Sequence, residues 1–313
     1  MAAEMLAGLM NDLVVQTAVL PLVAGLLAPG ILRLVGGAEV GGRWAAAGPG
    51  LAFLAIFLLI IGWPGFPPNA AVGKLGWGVM AGLVVALLLD LRPRTHGVRQ
   101  LAGLGLLLLV GAWILSPLVK TLALGDALRL AVLGIVVALI WPRLAPAADA
   151  SRRESGRVGS DGSDDSPVLP ATLVLMAALA VGGVALVGAS ASLAQLGFAL
   201  AASIGGLLLW NWPQSRHHYG VAALWAGGGT LLLLIIILVF FTQSRAEALL
   251  AAVPLFFVDR LSRACPLPAN AFGRALAPVV TGVLALVPAL AAIGLAYLLS
   301  GALTGGAESP SGY

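Results

Sequence analysis

Apolar stretches of roughly twenty residues fill this chain nearly end to end, and the arginines gather at every second gap between them. A helix crossing the hydrocarbon core of a bilayer needs about 20 apolar residues. A continuous apolar run in lipid satisfies its own backbone amides and carbonyls by forming a helix. Ten segments meet or approach that length: 13–34, 45–63, 75–91, 100–118, 122–141, 168–189, 191–211, 219–241, 246–261 and 275–300. The sequence therefore predicts an all-α integral membrane protein with about ten transmembrane helices. The ninth segment is short and contains Pro254. A re-entrant or interfacial helix is the alternative to a full crossing there.

Charge supports ten crossings. With the N-terminus outside, 13 arginines between Arg33 and Arg274 fall in cytoplasmic gaps, while Lys74, Lys120, Arg129 and Arg245 fall on the periplasmic side. Positively charged loops stay on the cytoplasmic side of membranes, which orients the chain. Removing the ninth crossing would put Arg260, Arg263 and Arg274 outside. Residues 1–12 carry Glu4 and Asp12 and no basic group. The first apolar segment is thus expected to be a retained span and not a cleaved signal, with both termini periplasmic.

Composition excludes a soluble fold. Only 10% of residues are charged and the mean hydropathy is +1.03, whereas soluble domains carry about a quarter charged residues. The pI near 9.8 would suggest nucleic acid in a soluble protein. Here the basic groups sit at span ends, with no basic stripe for a nucleic-acid backbone. Lys74 and Lys120 are the only lysines among 17 basic residues, and alanine and glycine are abundant. That composition fits a GC-rich bacterial genome and an inner membrane. The lone Cys265 excludes an internal disulfide and a thiolate metal site.

An internal duplication is legible in the apolar text. Lys74-Leu75-Gly76-Trp77 opens the third span, and Gln195-Leu196-Gly197-Phe198 lies near the start of the seventh. Counted forward in step, Asp90 meets Asn211 and His96 meets His217. The copies share orientation, a parallel repeat of spans two to four and six to eight. Between the halves, 147–167 is polar and aperiodic, with Arg152, Arg153 and Arg157 against five acids. Such a stretch cannot bury enough surface to fold. The expected organisation is a first bundle over 1–146, a flexible cytoplasmic linker over 147–167, and a second bundle over 168–313.

Ionisable groups in spans usually mark function, and this chain has few. Asp90 closes the third span beside Arg92 and Arg94, where a headgroup-level position is expected over a cation site. Asp126 and Arg129 share a helix face at the start of the fifth span, and a structural ion pair is favoured over a substrate site. His217-His218 lacks a nearby carboxylate and is not read as a metal site. Trp63, Trp77, Trp113, Trp141, Trp210 and Trp212 lie near span ends, as interfacial indoles do. Pro21 and Pro29 fall in the first span, Pro254 in the ninth, and Pro278 and Pro288 in the tenth. Proline frees a helix carbonyl and bends the axis. The first, ninth and tenth spans are therefore the place for any cavity or moving gate, with simple kinked packing the favoured reading of their prolines. Pro254, Pro278 and Pro288 are the candidate gating positions, beside Asp90, Asp126 and Arg129 as candidate polar positions.

No Walker loop, HExxH helix, nucleophile elbow or paired intramembrane carboxylates occur, so neither an enzyme nor a cofactor is expected. An enzyme of lipid metabolism would require Asp90, Asp126 or Asp259 to be essential. The leading expectation is a transporter or permease for a neutral or amphipathic small solute. The rival is a non-catalytic subunit that assembles or anchors a larger membrane complex, with a membrane-protein partner or a second copy of itself. The lipid bilayer is the one partner common to both.

Overall fold

A computed structural model describes residues 12–91, 96–144, 168–212, 220–262, 264–265, 268 and 271–301. The expected linker and the His217-His218 pair lie outside the described residues. Every regular element among the described residues is helical. They are α1 (Val15–Gly36), α2 (Ala45–Ile60), α3 (Ala71–Leu91), α4 (His96–Leu115) and α5 (Leu124–Leu144). Then follow α6 (Val168–Val187), α7 (Ala191–Trp210), α8 (Val221–Phe241), α9 (Ala246–Phe257, continued by Val258–Ser262) and α10 (Ala271–Leu299).

Seven of these, α1, α3, α5, α6, α7, α8 and α10, are long and apolar enough to cross a membrane. The apolar parts of α2 and α4, Ala45–Ile60 and Gln100–Leu115, are shorter. The ninth segment is unusual. Ala246–Phe257 is a 3-10 helix of 12 residues, although runs beyond three or four residues are uncommon in that form.

The helices α6 and α8 form the centre, each with 78% of its apolar window buried. Around them pack α7, α1 and α2 on one side, α3 and α4 on another, and α9 with α10 on a third. The helix α5 stands at the edge, with only 11% of its window buried and Leu124, Leu128 and Ile135 facing outward.

Apolar side chains gain little by leaving lipid for one another, so membrane helices associate through close backbone approach. This bundle follows that rule at specific glycines. A Cβ on Gly25 of α1 would lie 2.2 Å from the Ser203 carbonyl oxygen of α7, and one on Gly206 would lie 2.4 Å from the α1 backbone. Gly197 of α7 meets Gly182 of α6 in the same way. Gly82 of α3 makes room for the buried indole of Trp225, whose Nε1 donates to the Val79 carbonyl at 3.3 Å. Trp225 opens a π-helical turn, Leu224–Gly229, and Thr230 Oγ1 donates back to its carbonyl.

Indoles finish the joints at one end of the bundle. Trp210 Nε1 donates to the Leu26 carbonyl of α1, and Trp212 Nε1 donates to the Ala275 carbonyl of α10 at 2.9 Å. The turn from α6 to α7 is closed by Ser190 N–H on Ala185 O and Ala189 N–H on Leu186 O. That arrangement sets Ala189 at φ 56°, where glycine is the usual occupant.

Two outcomes follow. Ala189→Gly should stabilise the folded protein by up to ~1 kcal/mol, read as a higher Tm in mild detergent. Gly25→Ala or Gly206→Ala should cost about 1–3 kcal/mol by forcing α1 off α7, read as loss of monodisperse protein with α6–α7 protected from proteolysis.

Candidate functional site: polar junctions at the two ends of the bundle

Asp90, expected near the headgroups, is held within the protein at the end of α3. It is buried, 6% exposed, and its two oxygens accept the N–H groups of Val221 (3.0 Å) and Ala222 (2.8 Å). These are the first amides of α8, unpaired within their own helix. A carboxylate at a helix N-terminus is favoured both by the amides and by the helix dipole. Gly220 makes this approach feasible, since a Cβ there would meet Asp90 Oδ2 at 2.7 Å. Asp90 is therefore a cap supplied by α3 to α8, and it fixes the central helix at its entry. The residue that the expected repeat sets opposite it, Asn211, is also buried, but its Nδ2 donates to Leu207 O of its own helix at 3.3 Å.

Two ion pairs join α5 to α9. At one end Arg129 reaches Asp126 at 3.7 Å, as expected from their spacing, and also Glu247 at 3.3 Å. At the other end Arg143 reaches Asp259 at 3.2 Å, with its guanidinium 4.9 Å from the centre of the Phe257 ring. The first pair is half exposed; in the second, the Asp259 side chain is only 10% exposed. N-terminal end meets N-terminal end and C-terminal end meets C-terminal end, so α5 and α9 run parallel.

The 3-10 form of α9 is what lets both pairs close. From Arg129 to Arg143 an α-helix rises about 21 Å. From Glu247 to Asp259 a wholly α-helical segment would rise only about 18 Å and leave the two acids about 120° apart around its axis. With 3-10 geometry as far as Phe257, the rise becomes about 23 Å, and the acids fall within about 40° of one another. Arg129 and Arg143 are separated by about the same angle on α5. The two helices are matched in length and in phase. Sequence reasoning named Arg129 but missed Glu247 and the pairing of Arg143 with Asp259. The available signal was complementary charge at both ends of two segments of similar direction.

Lys74 is a second residue whose surroundings the sequence concealed. It is 7% exposed, and its Nζ donates to Trp113 O at 2.9 Å and Ser116 Oγ at 3.0 Å, tying the start of α3 to the end of α4. Trp77 meets Trp63 and Phe66 edge to face at 5.9 and 5.6 Å on the same rim.

The three candidate prolines lie on the α9–α10 side. Pro254 sits within the 3-10 run of α9. Pro278 and Pro288 are both carried inside α10, which continues through 29 residues. A stripe of buried alanines, Ala285, Ala289, Ala292 and Ala296, packs this helix on its neighbours. Where α10 ends, a cleft of about 280 Å³ opens between Val187, Gly188, Gln243, Arg245, Ala296 and Ser300. An apolar groove of about 340 Å³ runs between α1, α6 and α7, lined by Leu22, Leu175, Leu179, Phe198 and Gly205. Neither reaches Asp90, Asp126 or Arg129. Among the described residues no three His, Cys, Asp or Glu side chains converge as a metal site would require.

Asp90→Ala should destabilise the fold by on the order of 3 kcal/mol, because the α8 amides lose both acceptors in a buried setting; Asp90→Asn, with one acceptor left, should fall between. Double-mutant cycles on thermal unfolding should give a coupling of about 1.5–3 kcal/mol for Arg143 with Asp259 and below ~1 kcal/mol for the exposed Arg129 with Glu247. No family model, curated protein or solved structure matches this chain.

Proposed function

We propose that the chain is a ten-span permease of the bacterial inner membrane for an amphipathic small solute. Both termini face the periplasm, and the duplicated spans two to four and six to eight form its static frame. What carries the reading is the pairing of an unusual helix with a cleft. The cleft of about 280 Å³ is walled by the segment leading into α9 and by the end of α10. These are the helices that hold Pro254, Pro278 and Pro288.

A long 3-10 helix differs from an α-helix by pitch alone and marks a hinge or a strained segment. If α9 rewinds to α geometry it shortens by about 5 Å between Glu247 and Asp259, and one of its ion pairs with α5 must open. Two states then exist, one with both pairs closed and one without, which is the bistable element that alternating access requires. Around it, α6, α7 and α8 are packed through close glycine contacts and the Asp90 cap. The same match of length and phase supports a full crossing by the ninth segment, for which 12 residues of 3-10 helix followed by Val258–Ser262 supply about 30 Å.

One observation favours the second reading, a non-catalytic assembly subunit. The edge helix α5 is bound to the bundle chiefly through its ends and turns a row of large apolar side chains outward. Lipid satisfies such a face, and so does a helix of another membrane protein.

The test is translocation in proteoliposomes, using fluorescently labelled short-chain amphiphiles with neutral, zwitterionic and anionic heads and quenching of the outward-facing label. Transport above protein-free vesicles is expected. Pro254→Ala and the double variant Pro278→Ala/Pro288→Ala should lower it at least fivefold, with unchanged protein abundance. No transport of any probe, together with a stoichiometric protein partner in native mass spectrometry that deletion of 151–165 removes, would establish the assembly role instead.

A further inference from the structure

We infer that the cleft at the outer ends of α6 and α10 is a binding site for an oxyanion head, a phosphate or a carboxylate, held by Arg245. This rests on the permease reading for its use, since it names the head that an amphipathic solute presents there; the site itself stands on its own geometry.

Arg245 and Gln243 line the cleft, and Ser300 and the backbone at Gly188 complete its polar side. Three of the four basic residues assigned to this rim differ in kind. Arg129 is engaged by Asp126 and Glu247, Lys74 is buried on carbonyl and hydroxyl oxygens, and Lys120 is exposed on the loop after α4. Arg245 alone among them faces a cavity, and among the described residues no acidic side chain lines it.

Two helix C-termini border the cleft, and their carbonyls could in principle be what Arg245 serves. Those of Val184, Ala185 and Leu186 in α6 and of Ala296, Tyr297 and Leu298 in α10 are closed already. In α6 they accept Gly188 N–H, Ala189 N–H and Ser190 N–H. In α10 they accept Ser300 N–H, Gly301 N–H and Ser300 Oγ–H. Beneath Gly188 lies the Ser244 hydroxyl, 9% exposed as a residue and with no hydrogen-bond partner among the described residues. A buried hydroxyl without a partner is costly. The cleft thus offers a guanidinium and an amide, with the unpartnered Ser244 hydroxyl packed behind Gly188. A guanidinium presents a planar fork of N–H donors that fits phosphate and carboxylate oxygens in pairs.

The position also fits the chemistry. On the ten-span topology proposed above, the cleft lies on the same side of the bilayer as Trp63, Trp77 and Trp113, where interfacial indoles mark the headgroup zone. Its volume of about 280 Å³ exceeds that of a bare inorganic ion and suits a head with a short linker. The source is either a membrane lipid or a soluble amphiphile, and the chemistry of capture is common to both.

The experiment measures binding to the purified full chain in neutral maltoside detergent, by thermal shift and native mass spectrometry, without reference to transport. Dodecyl phosphate and dodecanoate should bind at one per chain, and dodecyl trimethylammonium should not. Arg245→Gln should weaken dodecyl phosphate at least tenfold and Arg245→Lys less, while Lys120→Gln should leave it unchanged. Competition by inorganic phosphate would assign the site to a free oxyanion solute. Retention of phosphatidylglycerol by the wild type and its loss in Arg245→Gln would assign it to a lipid head. Equal binding of dodecyl phosphate by wild type and Arg245→Gln, or of the cationic amphiphile by the wild type, would overturn the inference. Arg245-dependent binding with no translocation would leave the site standing and remove the permease reading; translocation with Arg245-independent binding would do the reverse.

Discussion

In hydrocarbon, an apolar side chain is as well solvated by lipid as by another helix, so contact between helices must be earned by something other than burial. This chain relies on close backbone approach. Gly25 with Ser203, Gly206 with Leu22 and Leu26, and Gly182 with Gly197 bring α1, α7 and α6 nearer than any β-carbon would allow. Dispersion over such surfaces is the main cohesive term. Much of the polar contact between helices is then free to serve position instead of cohesion, and most of it lies near helix ends.

Asp90 shows how much one such contact organises. It comes from α3, yet it completes the first turn of α8, 131 residues later in the chain. One of the two most buried helices of the bundle is thereby indexed by the helix that Trp225 crosses at Gly82. A carboxylate at the end of one span and a bare helix start in another satisfy each other where neither could remain alone cheaply. The same economy joins Lys74 to the end of α4 and the indoles of Trp210 and Trp212 to carbonyls of α1 and α10.

The helices were legible in the sequence because lipid imposes a single requirement, a long apolar run, and Leu, Val and Ala report it directly. Their partners were not. Asp90 reads as an ordinary span-terminal acid, since nothing local reveals that the acceptor pair is needed by Val221 and Ala222. Trp225 lies within its span and away from the rims, so the interfacial rule that explained Trp63 and Trp113 says nothing of it; only the glycine facing it, Gly82, hints at a bulky neighbour. For the ninth segment the apolar length was read correctly as short for an α-helix. What escaped was that the chain changes its helical form there. Asp126 with Arg129 was readable because three residues of one helix fix their distance, whereas Glu247 joins them only through the packing of α9 on α5.

The winding of α9 has a consequence for how the two rims of the bilayer are connected. Rigid helices transmit motion by tilting or sliding, and both disturb every neighbour along their length. A helix that exchanges three residues per turn for 3.6 moves as a screw: its ends draw together by about 5 Å while one end rotates through roughly 200° against the other. With Arg129 holding one end and Arg143 the other, the variable that would link outside to inside in the proposed permease is twist.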